Sequence, residues 1–410
     1  MPSSILEGSL DLSLKWIEHN GWESYDPYDV LGLPFLLRVQ RLRRRSKVLN
    51  LSLSPLVFLA LIFPNFFRRV FKVKRSKDAM VAALLAKSFL NLYQLTGEVR
   101  FLENCETLLE WLLDNSVKWD RGIGWGYNFD WESAVVMIPA KTPISVVTSI
   151  VARSFISAYE STRRREYLEV LGEVMKFFSN DLNKFKLESG VCFSYTPIDD
   201  MMVHNANLMT AEVLMKLSSI LKVKRVRKLS IKAVRFTVSD QNSDGSFYYF
   251  FKEYARRRAL RNVIDNFHTG YVIYSLCKIY KCGKNGWLRE SLVRARDFYL
   301  TRLFKGVVPI TKYPSSRFIG NRILCHDCSQ GILTTLELVS LGLADPELAV
   351  GMALWAIRCF QDPSGYFYYS LNVNGVGLVK ENYIRWGLAW MLLALTELSM
   401  YFKGLKTRDY

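Results

Sequence analysis

The sequence predicts an all-α protein, an (α/α)6 toroid in which six helical hairpins supply an inner and an outer ring of helices. Three observations carry that expectation. A segment with a polar start and an apolar remainder recurs along the chain. With Asp265 of IDNFHTGYVIYSLCKIY as reference, the equivalents are Asp78, Pro143, His204, His326 and Asn382, at steps of 65, 61, 61, 61 and 56 residues. Before each recurrence a second helical segment ends in a glycine loop, on the same beat: Gly124-Trp125, Gly190-Val191-Cys192-Phe193, Gly245-Ser246-Phe247, Gly306 and Gly365-Tyr366-Phe367. Finally, half of the 410 residues are hydrophobic and 14% are aromatic, enough for the core that one large ring needs.

Taken in order, residues 8–19 read as the first outer helix, with Leu10, Leu12, Leu14, Trp16 and Ile17 apolar, followed by an aromatic loop around Trp22, Tyr25 and Tyr28. An insertion of about 38–77 comes next. It holds Arg41, Arg43, Arg44, Arg45 and Lys47, then the apolar run from Leu49 to Phe63, then Arg68, Arg69, Lys72, Lys74 and Arg75. The run is shorter than the roughly 20 residues that span a bilayer, so it reads as a buried packing segment or as an interfacial anchor. Residues 76–95 form the first inner helix. The second outer helix runs to about Asn115, and Pro143 falls near the first turn of the next inner helix, where a missing N–H costs little. The third outer helix covers about 165–183, and the sixth repeat runs from Glu347 to Tyr401. The chain reads as one domain over 1–410, with the insertion as its one departure from the repeat.

Net charge is +17, from 55 basic against 38 acidic residues, which favours an anionic partner. An acidic poly- or oligosaccharide is the expected ligand, with peripheral contact to anionic membrane through the insertion; nucleic acid is not expected. The start MPSSILEGSLDLSLKW lacks the basic and apolar regions of a secretion signal, and seven scattered cysteines suit a reduced compartment. The expected location is cytoplasmic, at or near the inner membrane face.

Repeats in phase start every inner helix at one end of the ring, so the preceding loops surround one funnel. Candidates for proton transfer there are Asp130, Asp200, His204, Asp265 and His268. Candidates for holding a substrate are Trp125, Tyr127, Trp131, Tyr195, Asn205, Asn207, Asn266, His326, Asp327 and Arg385. Ordinary helix capping accounts for Asp265 and Asn205 equally well, but not for the histidines or the aromatic residues. Two chemistries remain open. Glycoside hydrolysis would use a pair from Asp130, Asp200 and Asp265. Elimination or epimerisation at a uronate would use His204, His268 or Tyr195 as base or acid, with Asn205, Asn207 and Arg385 on the sugar carboxylate. No cofactor or metal is expected: Cys325-x-x-Cys328 is one pair without a second. A non-catalytic glycan-binding or membrane-associated scaffold is the alternative from another class.

The segments GWGYNFDWES, CFSYTPIDDMMVHNANL, QNSDGSFYY and IDNFHTGYV together resemble the six-hairpin glycosidase-like superfamily over about residues 76–400, and within it prokaryotic proteins tied to surface-polysaccharide biosynthesis. That resemblance implies a toroid and a carbohydrate ligand; it supplies no catalytic residues. The loop at Gln241–Phe247 also resembles the repeat of terpene cyclases, another toroid class, but their Asp-x-Asp-Asp acid is missing, so isoprenoid chemistry is the weaker expectation.

Overall fold

A computed structural model describes residues 2–133, 135–314, 322–372 and 380–405. Sixteen α-helices occur among these residues. The outer helix α1 (Pro2–Asn20) leads into the insertion, α2 (Pro34–Arg43), α3 (Lys47–Ile62) and α4 (Pro64–Val70). Inner and outer helices then alternate: α5 (Ala79–Thr96) inner, α6 (Val99–Asp114) outer, α7 (Ser145–Thr162) inner, α8 (Arg165–Lys176) outer, α9 (His204–Ile220) inner, α10 (Lys224–Ser239) outer. After the short α11 (Lys252–Arg257) come α12 (Asn266–Gly283) inner, α13 (Gly286–Arg302) outer, α14 (Cys325–Val339) inner, α15 (Pro346–Phe360) outer and α16 (Leu388–Phe402) inner. Each inner helix packs on the next, and α16 packs back on α5, so the inner ring closes.

The inner helices are buried on most faces because their sequences are apolar nearly all round. In α5 small residues let neighbours approach: Ala79, Ala82, Ala83 and Ala86 are all buried. Polar residues survive where they end a helix. Asp78 accepts hydrogen bonds from the Met80 and Val81 backbone N–H groups at 2.8 and 3.2 Å, which fixes where α5 begins. A one-turn π segment, Phe177–Asp181, continues α8 to nearly the expected end. The loops carry only two-stranded pairs, such as 184–187 with 190–193.

Two expectations about the beat need correction. The sixth inner helix starts at Leu388, six residues beyond Asn382, because residues 384–387 form a turn first. The first loop glycine of the repeat is Gly122, not Gly124. A Cβ on Gly122 would lie 2.3 Å from the Glu173 carbonyl in α8. The matching distances are 2.2 Å from Gly190 to Lys232 in α10, from Gly245 to Arg294 in α13, and from Gly365 to Leu12 in α1. These four loops therefore press their glycines against the following outer helix, and Gly365 does so across the seam of the ring. Gly124 meets Pro143 and Thr148 of its own repeat instead, and Gly306 faces open space.

The insertion begins at Pro34 and builds a satellite core from Val30, Leu36 and Ala60, with Phe35, Leu56 and Phe67 packed on it. Its link to the ring is Arg68, which is buried. That guanidinium pairs with Asp29 at 3.0 Å and donates to the Asp26 carbonyl at 2.9 Å and to the Tyr383 hydroxyl at 3.3 Å. Arg68 is thus a staple and no part of the basic surface. The apolar run is α3, and its burial is one-sided: Val57 and Ala60 point inward, while Leu51, Phe58, Leu59 and Ile62 face outward.

Candidate active site

The first turns of α9, α12 and α14 converge with the loops before them at one end of the ring. Asp265 adopts an extended backbone and caps α12, accepting from the His268 N–H at 2.9 Å. The other oxygen of the same carboxylate lies 2.7 Å from His268 Nδ1. In a neutral imidazole this contact places the proton on Nδ1 and leaves a lone pair on Nε2. That nitrogen has no hydrogen-bond partner among the described residues. The dyad lines a narrow cleft, about 210 Å³ with its open mouth, together with Asn205, Tyr248, Tyr249 and Val263. Here Asn205 Oδ1 is buried without a protein partner among the described residues.

Beside the dyad, His326 Nε2 is 2.8 Å from the Tyr271 hydroxyl, and its ring centre is 4.9 Å from that of Phe267 and 4.7 Å from that of Trp390. Burial holds this imidazole well below its usual pKa, so it is neutral, and its Nδ1 has no protein partner among the described residues. Asp327 lies behind it. Its carboxyl accepts from the Thr311 hydroxyl and the Leu324 N–H, and burial pushes it up to about 7.

Arg385 completes the cluster. Its guanidinium carbon sits 4.4 Å from the ring centre of Tyr127 and 4.9 Å from that of Trp386, and Nη2 forms an ion pair with Asp26 at 2.6 Å. Nε and Nη1 have no protein partner among the described residues, although the residue is only 2% exposed. A buried cation with unused donors is costly unless something else meets them. Asp26 also accepts from Trp386 Nε1 at 3.2 Å, and burial pushes its carboxyl up to about 6 against the pull of Arg385. The Trp131 ring packs against those of Tyr127 and Tyr195, with ring centres 5.9 and 5.8 Å away. Burial raises the phenols of Tyr28, Tyr127, Tyr195, Tyr249 and Tyr271, so all remain neutral donors near pH 7.

Of the residues singled out in the sequence, Asp265, His268, Asn205, His326, Asp327, Arg385, Tyr127, Trp131 and Tyr195 meet in this cluster. The others lie elsewhere. His204 turns outward to Asp240 at 2.9 Å and Thr237 at 3.3 Å, and Asn207 joins the Phe193 N–H to Ala233 and Thr237; both tie α9 to α10. Asn266 ties α12 to α13 through the Leu303 carbonyl and the Tyr299 hydroxyl. Trp125 is 1% exposed, donates to the Leu112 carbonyl at 2.7 Å and belongs to the core, so no sugar can stack on it. Asp130 braces its own loop by accepting from the Ala140 N–H, and Asp200 pairs with Arg258 and Tyr254 on the exposed rim. Asp26, Tyr249, Tyr271 and Trp386 were not singled out. For Asp26 the available signal was an acid between aromatics, Tyr25-Asp26-Pro27-Tyr28, which parallels Phe129-Asp130-Trp131.

No family model matches the chain, and no curated protein matches it. Solved structures do. An α-mannanase of Bacteroides thetaiotaomicron superposes with a TM-score of 0.62 at 11% identity, covering 81% of this chain and 88% of that one. The cellobiose 2-epimerase of Bacillus thermoamylovorans gives 0.60 at 10% identity, covering 78% and 88%. A polysaccharide lyase gives 0.58 at 14% identity, covering 86% and 98%. The chain folds as an (α/α)6 toroid. At these identities the likeness establishes the fold and leaves the reaction to the site.

The toroid has a second, larger cavity towards the C-terminal halves of its inner helices, about 780 Å³ with its open mouth, lined by Lys87, Arg153, Glu160, Tyr274, Lys278 and Glu397. Its charges are paired: Lys87 with Glu397 at 3.4 Å, Lys216 with Glu160 at 2.5 Å, Lys278 with Glu337 at 2.8 Å, and Arg153 with Glu212. It lacks an oriented base, so the funnel end is the better candidate for chemistry despite its smaller cleft. Cys325 and Cys328 are fully buried, and burial raises both thiols. Among the described residues no three His, Cys, Asp or Glu side chains are grouped to hold a metal.

Proposed function

We propose that this toroid is a carbohydrate-active enzyme that takes a carbon-bound proton from a uronate-containing glycan, by elimination or epimerisation. The observation that carries the reading is the His268–Asp265 dyad, with Nδ1 held at 2.7 Å and Nε2 left open on the cleft. In this reading Nε2 removes the proton at C5 of the uronate. In elimination the electron pair of that C–H bond forms a C4–C5 double bond, and the C4–O bond breaks. In epimerisation a proton returns to C5 from the opposite face. Tyr249 is the neutral acid nearest the base, its ring centre 4.6 Å from that of His268. Arg385 is buried off the cleft lining, and its positive charge favours the substrate carboxylate through space as that charge grows with loss of the proton. The net charge of +17 supports an anionic substrate. The superposed cellobiose 2-epimerase and polysaccharide lyase support the general class, carbohydrate-active chemistry, and not the uronate.

Hydrolysis is the second reading, favoured by Asp26, whose carboxyl is held at about 6, a value suited to acid or base work near neutrality. A role in polysaccharide biosynthesis and a cytoplasmic location, in keeping with seven free cysteines, belong to this proposal. The test is a panel of acidic and neutral oligosaccharides followed by mass spectrometry in ordinary and deuterated water. An unchanged total mass with a new ultraviolet-absorbing double bond marks elimination, and deuterium uptake without cleavage marks epimerisation. A gain of one water marks hydrolysis. His268→Ala should lower turnover on the order of 10²-fold. Arg385→Gln should raise KM for uronates more than for neutral sugars, since it removes that positive charge. Parent-like turnover by His268→Ala overturns the proposal, and binding without turnover by the parent points to a glycan-binding scaffold.

A further inference from the structure

The insertion carries a surface that a ring of this kind does not need. Residues 34–77 hold twelve basic and no acidic side chains, against a net charge of +17 for the whole chain. Three of those cations are paired with acids: the buried Arg68 with Asp29, and the exposed Arg41 and Arg44 with Glu132. Arg45, Lys47, Arg69, Lys72 and Lys74 have no ion-pair partner among the described residues. The same segment concentrates exposed apolar side chains. Of the 19 large hydrophobic side chains exposed among the described residues, 11 fall between Leu42 and Phe71.

They are arranged, not scattered. On α3, Val48, Leu51, Phe58, Leu59 and Ile62 share one side of the helix, at spacings of 3, 7, 1 and 3 residues; Val48 is 74% exposed, Leu51 81% and Phe58 61%. Val57 and Ala60, on the opposite side, are buried, and Ala60 belongs to the satellite core. The hydroxyls of Ser52 and Ser54 bond to the carbonyls of Val48 and Asn50, which hides their polarity within the helix. Phe66, Val70 and Phe71 extend the exposed apolar surface along and just past α4. No single described helix is long and apolar enough to cross a bilayer, and the chain turns by 89° between α3 and α4. At 16 residues α3 is about 24 Å long, less than the roughly 30 Å of a hydrocarbon core, and its inner side is already occupied.

We propose that α3 and α4 form an interfacial docking platform for an anionic membrane surface. The outward apolar stripe enters the headgroup boundary, and the flanking cations meet acidic lipid headgroups. The complementarity of charge selects this occupant over a second copy of the chain, whose platform would bring a matching set of cations. The platform is also tied to the funnel. Arg68 links it to the Asp26 carbonyl and to Tyr383, Asn65 donates to Glu381 at 2.5 Å, and Arg41 and Arg44 reach Glu132, the neighbour of Trp131. Docking therefore holds the funnel mouth beside the membrane, where a lipid-tethered glycan would present its sugar. The docking itself does not depend on the catalytic reading.

The experiment is co-sedimentation of the full chain with vesicles of phosphatidylcholine alone or with about one-third phosphatidylglycerol, at low and high salt. Binding should be at least tenfold stronger to the anionic vesicles and should weaken as salt rises. The double variant Leu51→Glu/Phe58→Glu changes only exposed positions. It should keep the parent's circular dichroism and thermal midpoint while losing at least tenfold in vesicle binding. Equal binding to both vesicle types, or parent-like binding by a folded double variant, overturns the proposal. So does a parent that sediments as a dimer which the double variant dissociates, because the stripe then serves self-association.

Discussion

Asp327 is the residue at which burial and protonation are most directly coupled. It is fully buried, holds the Thr311 hydroxyl and the Leu324 N–H, and leaves Oδ1 without a partner among the described residues. Burial pushes its carboxyl from the ordinary 3.8 to about 7. Between those values the native protein keeps a proton that the unfolded chain releases. The stabilising effect is therefore complete below about pH 4 and is lost as pH rises through about 7. A shift of this size corresponds to about 4 kcal/mol at most. Asp327→Asn keeps an acceptor for both donors and cannot ionise. Its unfolding midpoint relative to the parent should rise steadily from pH 4 to pH 8 in a thermal scan. A difference that stays constant over this range would mean that Asp327 does not titrate with folding.

Among the elements, the loop glycines make a sharper test than the helices. Gly365 has φ +114° and would set a Cβ 2.2 Å from the Leu12 carbonyl, whereas Gly306 has φ +60° and faces open space. Gly306→Ala should cost about 1 kcal/mol, for the left-handed backbone alone. Gly365→Ala should cost at least about twice as much, because backbone must move as well. Chemical denaturation of the two variants measures the gap, and equal losses would show that the seam tolerates a methyl group. The beat of these loops was legible in the sequence, and so was the height of the polar first turns. Their direction was not. His204, Asp265 and His326 are spaced by 61 residues, yet their helices begin at residues 204, 266 and 325. A slip of one residue turns a helical side chain by about 100°. His204 is thus the counterpart of Asn266, and both reach back to an outer helix, while His326 is the counterpart of Asn205 and packs inward on Tyr271 and Trp390. Trp125 was misread for a related reason: an aromatic residue after a loop glycine can cover the core as readily as line a cleft. Asp26 escaped notice because it lies before the insertion, off the beat.

For the whole molecule, the closed ring is the property that decides what can be removed. α16 packs on α5, on α14 and on α1, and its buried face includes Leu388, Trp390, Leu392, Leu395 and Leu398. Ending the chain at Trp386 should expose the apolar flanks of α5 and α14 together. Soluble yield should collapse and cooperative unfolding should be lost, as checked by gel filtration and calorimetry; a soluble, cooperatively unfolding truncate would argue that the ring is a set of independent hairpins. The same closure sets a timetable during synthesis. The partner of α5 emerges from the ribosome about 300 residues after it, which is roughly 15 to 60 seconds at ordinary elongation rates. Throughout that interval the growing arc has an open apolar edge, so chaperone demand should track translation speed far more than the stability of the finished protein.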